Sequence, residues 1–258
     1  MASKKIFVVG DKFHEFTNGK DVLTISQLEL LTQIPAKLID TEHEVIVGQG
    51  VREDFAKKII QDHKNNTVYN NKLNIQSLED LAEMKKNCYS HKKINQNVLI
   101  GSANKVEHND SHYVLPLIID ERCELMSDHQ TGQHIQGMLL VEACRQTFIA
   151  VTEEFFFKDQ SNKYYVINSM GTNFSSFLFP LPALVHYEIL EKDIDARRAR
   201  FKAQLSVTQG ETLCATMDVS FTVYPSEIIS CKESKLAAIA TDVALASARQ
   251  TTHRVSHA

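Results

Sequence analysis

Residues 137–157 read GMLLVEACRQTFIAVTEEFFF. From Met138 onward, apolar side chains fall on almost every face of a helix, the pattern of a helix buried on most sides. The chain after it alternates instead. Tyr164 to Phe177 and Ala183 to Leu190 read as strands on either side of Pro180-Leu181-Pro182. Phe201, Ala203, Leu205 and Val207 alternate with polar residues up to a turn at Gln209-Gly210, and the returning run is expected to place Leu213, Ala215, Met217, Val219, Phe221 and Val223 on one face. Before the helix, Asn97 to Ile100 and Tyr113 to Ile119 are strand-like. A buried helix among such antiparallel strands is covered only if the sheet wraps around it.

That architecture is the hotdog fold, so the expected class is α+β: an antiparallel sheet wrapped round a long central helix, over residues 97–225. A small α/β domain with a parallel sheet is expected to precede it, over residues 1–87. There Ile6 to Val9 reads as a strand stopped by Gly10, and Val22 to Ile34 carries helical spacing. Glu44 to Val47 leads through Gly48-Gln49-Gly50 into a helix through Phe55, Ile59 and Ile60, and Leu73-Asn74-Ile75 leads into Leu78 to Met84. Gly48-Gln49-Gly50 sits where a phosphate loop would, but it lacks a third glycine at fingerprint spacing and a Gly-Lys-Ser/Thr, and it reads as a structural turn. Residues 88–96 are expected to link the two units, and residues 226–258 to form a terminal helix and tail.

Composition narrows the function classes. The chain has 258 residues, 43% hydrophobic and 23% charged, with nine Gly and five Pro, which excludes disordered and low-complexity classes. A formal charge of −4 gives no basic footprint for nucleic acid or anionic lipid. No apolar run approaches a signal-peptide core or a membrane span, so a cytoplasmic location is expected. The five cysteines form no C-x-x-C pair and read as reduced thiols.

Chemistry concentrates at the central helix. Glu142, Arg145 and Gln146 are three and four residues apart, so they share one face of an otherwise apolar helix. Such a pair can be purely structural, yet taking two charges from water costs roughly several kcal/mol per ion, a poor way to gain stability. Gly137 allows close approach to the backbone, and the free N–H groups of the first turn suit a carbonyl oxygen that becomes negative. Glu142 lies about 7 to 8 Å further along the axis. Asp128, His129 and His134 precede the helix, where a histidine can move protons near neutral pH. Each of the eleven histidines taken alone is more often a hydrogen-bonded loop residue. The His-x4-His spacing does not place two ligands on one helical face, and no metal is expected.

Asp128-His129, His134 and Gly137-Met138-Leu139-Leu140-Val141-Glu142-Ala143-Cys144-Arg145-Gln146 together resemble the motif of the A-factor biosynthesis (AfsA-type) hotdog proteins, D-H-x4-H-x-P-G-M followed by a helix with E-A-x-R-Q. The resemblance implies an acyltransferase that joins a β-ketoacyl group from an acyl carrier protein, or CoA, to dihydroxyacetone phosphate on the way to γ-butyrolactone signals in secondary metabolism. No bound cofactor is implied, the substrate being carried on phosphopantetheine. Glu142 and Arg145 occupy positions that this family treats as functional, and by analogy with β-hydroxyacyl carrier-protein dehydratases Gly137 would offer the oxyanion N–H, Glu142 the acid or base and His129 a second proton carrier; the resemblance thus implies Glu142, Arg145 and His129 as catalytic, and Asp128, His134, Gly137, Met138 and Gln146 as substrate-binding. Thioesterase or dehydratase activity, or a non-catalytic acyl-binding module, are the alternatives on the same scaffold. Gln136 replaces the usual proline, and the motif occurs once where the family's enzymes carry two copies. A homodimer is therefore expected to supply both halves of the site.

Overall fold

The computed structural model describes residues 3–35, 38–39, 41–65, 72–128, 131–158 and 162–255, with side chains as far as residue 245. The first unit runs β1 (Lys4–Val9), a short helix α1 (His14–Thr17), β2 (Val22–Thr24), α2 (Ile25–Thr32), β3 (His43–Val47), α3 (Glu53–Asn65), β4 (Leu73–Asn74) and α4 (Gln76–Glu83). Its strands form a parallel sheet in the order β2-β1-β3-β4. The helical spacing expected from Val22 begins only at Ile25, because Val22 and Thr24 pair with β1 instead. Thr24 then caps the helix: its hydroxyl accepts from the Gln27 N–H at 3.3 Å while the Gln27 side chain accepts from the Thr24 N–H at 2.9 Å. This reciprocal cap fixes where strand becomes helix.

The second unit has β5 (Asn104–Lys105), β6 (His112–Pro116), the 20-residue helix α5 (Gly137–Phe156), and then β7 (Lys163–Phe174), β8 (Leu184–Ile194), β9 (Ala199–Gln209) and β10 (Thr212–Pro225). Its six strands pair antiparallel in the order β5-β6-β8-β9-β10-β7. α5 packs on β7, β8, β9 and β10. Leu139, Leu140, Ala143, Phe148, Ala150 and Val151 are buried against a sheet that supplies Tyr187, Phe201, Leu205, Met217 and Phe221. This is the hotdog arrangement expected from the apolar helix and the alternating strands. A last helix, α6 (Ser226–Val255), leaves the body after β10.

Two local expectations fail for identifiable reasons. Asn97 to Ile100 does not form a regular strand. A tight turn occupies Asn95–Asn97, and beyond it the Gln146 side chain takes two of the backbone groups, donating to Asn97 O and accepting from Leu99 N, both at 2.8 Å. Leu213 is exposed rather than core-facing, because the β9–β10 register shifts between Leu213 and Ala215 and Cys214 turns inward instead.

The two sheets share a joint at Gly48-Gln49-Gly50. Gln49 is buried and donates to the carbonyls of Leu117 and Leu181 at 3.0 and 3.4 Å, while accepting from the Ile119 N–H at 2.8 Å. Gln49 N donates to Pro180 O, and Gly50 N to Ile119 O. A Cβ on Gly48 would lie 2.2 Å from Pro180 O, so only glycine lets the chains approach this closely. The glycine-rich turn is structural, as its spacing indicates. Val9, Phe13, Phe16 and Val22 of the first unit belong to the same apolar cluster as α5.

Candidate active site

Position 136, where the resembled motif has proline, has φ −60°, the value a proline would impose. Gln136 therefore preserves the entry angle of α5, and its amide donates to Asp128 O at 2.5 Å. The Gln136 side chain does not cap the start of α5. A Cβ on Gly137 would sit 3.0 Å from the Phe174 ring at the end of β7, so the glycine lets an edge-strand aromatic close over the first turn. Met138 is exposed beside it.

One turn on, Glu142 and Arg145 are joined as their spacing predicts. Arg145 Nε donates to Glu142 Oε2 at 2.7 Å and Nη2 to Oε1 at 2.9 Å. Gln146 Nε2 adds a bond to Oε1 at 3.0 Å, and Lys92 Nζ lies 2.8 Å from the same oxygen. The Glu142 side chain is 17% exposed and that of Arg145 28%, so the pair is neither sealed in the core nor open to bulk water. Burial alone would raise the Glu142 carboxyl. The hydrogen bonds from Arg145, Lys92 and Gln146 outweigh it and hold the group at about 2. The same partnership raises Arg145. At neutral pH Glu142 is a fully ionised acceptor.

Lys92 lies in a polar stretch that carries no motif, and only the fold brings it to Glu142. The stretch runs along the exposed side of α5. Three helical turns beyond Glu142, Glu153 accepts from the Tyr165 hydroxyl at 2.7 Å, and the His91 ring stands 3.9 Å from the same carboxylate and edge-on to Tyr165. No signal in the sequence links His91 or Lys92 to the helix.

The remaining expected site residues divide. His134 is half-buried before α5, with Nδ1 3.2 Å from Thr131 Oγ1 and its ring against Phe177. Asp128 is exposed at the same approach. His129 lies outside the described residues. Cys144, although on α5, is pushed up to about 12 by burial and is no nucleophile at neutral pH. Among the described residues, no group of three or more His, Cys, Asp or Glu is placed to hold a metal, and no helix is long and apolar enough to cross a membrane.

The family model for the A-factor biosynthesis hotdog domain matches residues 75–225. The chain belongs to that family. No curated protein matches the sequence significantly. Among solved structures, a mutant thioesterase from Pseudomonas aeruginosa is 13% identical, with 49% of this chain and 81% of that one covered, at a TM-score of 0.35. A thioesterase from Haemophilus influenzae is 10% identical over 48% and 79% of the two chains, with a TM-score of 0.34. A hypothetical thioesterase from Streptococcus pneumoniae, crystallised with coenzyme A, is 12% identical over 48% and 85%, with a TM-score of 0.35.

Proposed function

We propose that the chain is an acyltransferase that moves a β-ketoacyl group from a phosphopantetheine thioester, on acyl carrier protein or CoA, to the hydroxyl of a small acceptor such as dihydroxyacetone phosphate. The observation that carries this reading is the Glu142–Arg145–Gln146–Lys92 cluster, a charged group on an apolar helix one turn beyond a helix start that the Gln136 side chain does not cap. The Gly137 and Met138 N–H groups would polarise the thioester carbonyl, in the place where negative charge develops. The acceptor oxygen attacks the carbonyl carbon, the carbon–sulfur bond breaks, and the hydroxyl proton leaves with the pantetheine sulfur as a thiol.

A carboxylate held at about 2 is a weak proton acceptor at neutral pH. Glu142 therefore acts by accepting a hydrogen bond from the attacking hydroxyl and aligning it, while Arg145 offers its guanidinium to an anionic acceptor. Proton transfer falls to a histidine, either His134, half-buried before α5, or His129, which precedes it in the sequence. A second copy of the chain completes the site. Among the described residues β7 pairs only with β10, and its other edge carries Ile167, Met170 and Phe174, all substantially exposed. Phe174 touches the start of α5, so a partner strand along β7 would lie beside the reacting groups.

The test is product analysis by mass spectrometry with a β-ketoacyl thioester, with and without dihydroxyacetone phosphate. Acceptor-dependent ester and stoichiometric free thiol are expected. Thiol release independent of acceptor would make the protein a thioesterase, and saturable binding without product would make it a binding module.

A further inference from the structure

In an open parallel sheet, ligands bind outside the carboxyl ends of the strands where the strand order reverses. In the order β2-β1-β3-β4 that point lies between β1 and β3. A cleft of about 760 Å³ opens there. Its walls include Asp11 and Lys12, just after β1, and Arg52, after β3; the second unit contributes Glu121, Arg122 and Thr131. We propose that this cleft is a second binding site, separate from the thioester site, for a small phosphorylated polyol.

The chemistry of the walls selects that class. The backbone amides that hold phosphate in nucleotide folds are already used here: Gly10 N donates to Gln49 O, Gly48 N to Val8 O, and Gly50 N to Ile119 O. Those three amides are therefore not open to a phosphate, and three cationic side chains stand on the rim. Lys12 Nζ donates to one described acceptor, Met126 O at 2.8 Å, and has two further donors. Arg52 turns Nε and Nη2 toward Asp54, leaving Nη1 with no partner among the described residues. Arg122 is anchored by Asp120 and Asp54 with its guanidinium on the cleft wall.

Carboxylates stand opposite the cations. Glu121 is 7% exposed and accepts from the Lys12 N–H at 3.1 Å; Asp11 is held by Ser26 at 2.6 Å. Carboxylates accept from hydroxyls and repel bare anions, so the occupant carries both hydroxyls and a phosphate. Apart from the exposed His14 ring, the described residues of the lining include no aromatic side chain, and so no stacking surface for a nucleobase. Occupancy would also reach the thioester site, because Thr131 lines the cleft and meets His134 in the approach to α5.

The test uses the full chain in thermal-melting and calorimetric titrations. The probes are glycerol phosphate, ribose phosphate and glucose phosphate, each matched with its free polyol, together with inorganic phosphate and adenosine monophosphate. At least one polyol phosphate is expected to bind, its free polyol and inorganic phosphate at least about tenfold more weakly, and Arg52→Gln or Lys12→Met to weaken binding by about tenfold or more. The Arg52 side chain is 37% exposed, so its variant is expected to fold even if Lys12→Met does not. No binding by any polyol phosphate, equal binding of inorganic phosphate, tighter binding of adenosine monophosphate, or affinity unchanged in Arg52→Gln would each overturn the proposal.

Discussion

The Glu142 carboxylate accepts from Arg145 through two nitrogens, from Gln146 and from Lys92. Its pKa of about 2 lies below the unfolded value of about 4.3, so its ionised form stabilises the fold above the unfolded pKa. That contribution, on the order of 3 kcal/mol, is lost as pH falls from about 5 through 2. Glu142→Gln keeps the shape but leaves two cations uncompensated. It is expected to lower stability by roughly 1–3 kcal/mol at neutral pH, and the gap to the parent chain should close as pH falls through this window. Urea denaturation across that pH range measures it, and a gap independent of pH would contradict the clamp. The same variant, by loosening the alignment of the attacking hydroxyl, is expected to lose about 100-fold in acyl transfer. Sequence spacing suffices to pair Glu142 with Arg145, because both lie on one helix. It is silent on Lys92, whose approach depends on how the stretch before β5 lies along α5.

The elements that formed as read are those whose signal is local. α5 is legible from its apolar run and β9–β10 from alternation about Gln209-Gly210. Elements decided by a distant partner are not. Asn97 to Ile100 has strand composition, but Gln146, on α5, takes two of the hydrogen-bonding groups a regular strand would use, Asn97 O and Leu99 N. β2 hides within a helical pattern because its three residues are defined by pairing with β1. The turn at Gly48-Gln49-Gly50 shows both sides of this division: its glycines announce a tight turn, while its role as the joint between sheets depends on Pro180 and Ile119 far along the chain. Gln49→Leu would orphan the Ile119 N–H and the Leu117 carbonyl in the interior. It is expected to cost about 2–4 kcal/mol by urea denaturation, where an exposed Gln→Leu change would cost almost nothing.

At the scale of the whole molecule, the sheet ends on a strand that, among the described residues, bonds on one side only. β7 is twelve residues long and carries exposed Ile167, Met170 and Phe174. An apolar free edge of this length invites pairing with another strand. A dimer is the expected state in sedimentation-velocity measurements, and Met170→Asp is expected to shift it to monomer and to reduce acyl transfer in parallel. A monomeric parent chain, or a monomeric variant with full activity, would refute a shared site.

The claim at the centre of this account is that the start of α5 receives the thioester carbonyl within reach of Glu142. A crystal structure of the chain with a non-hydrolysable β-ketoacyl-pantetheine analogue tests it directly. The account predicts the analogue's carbonyl oxygen roughly 2.7–3.1 Å from the Gly137 or Met138 nitrogen, with its acyl portion passing the Glu142–Arg145 pair. An analogue bound in another cavity, with that pair untouched, would contradict it.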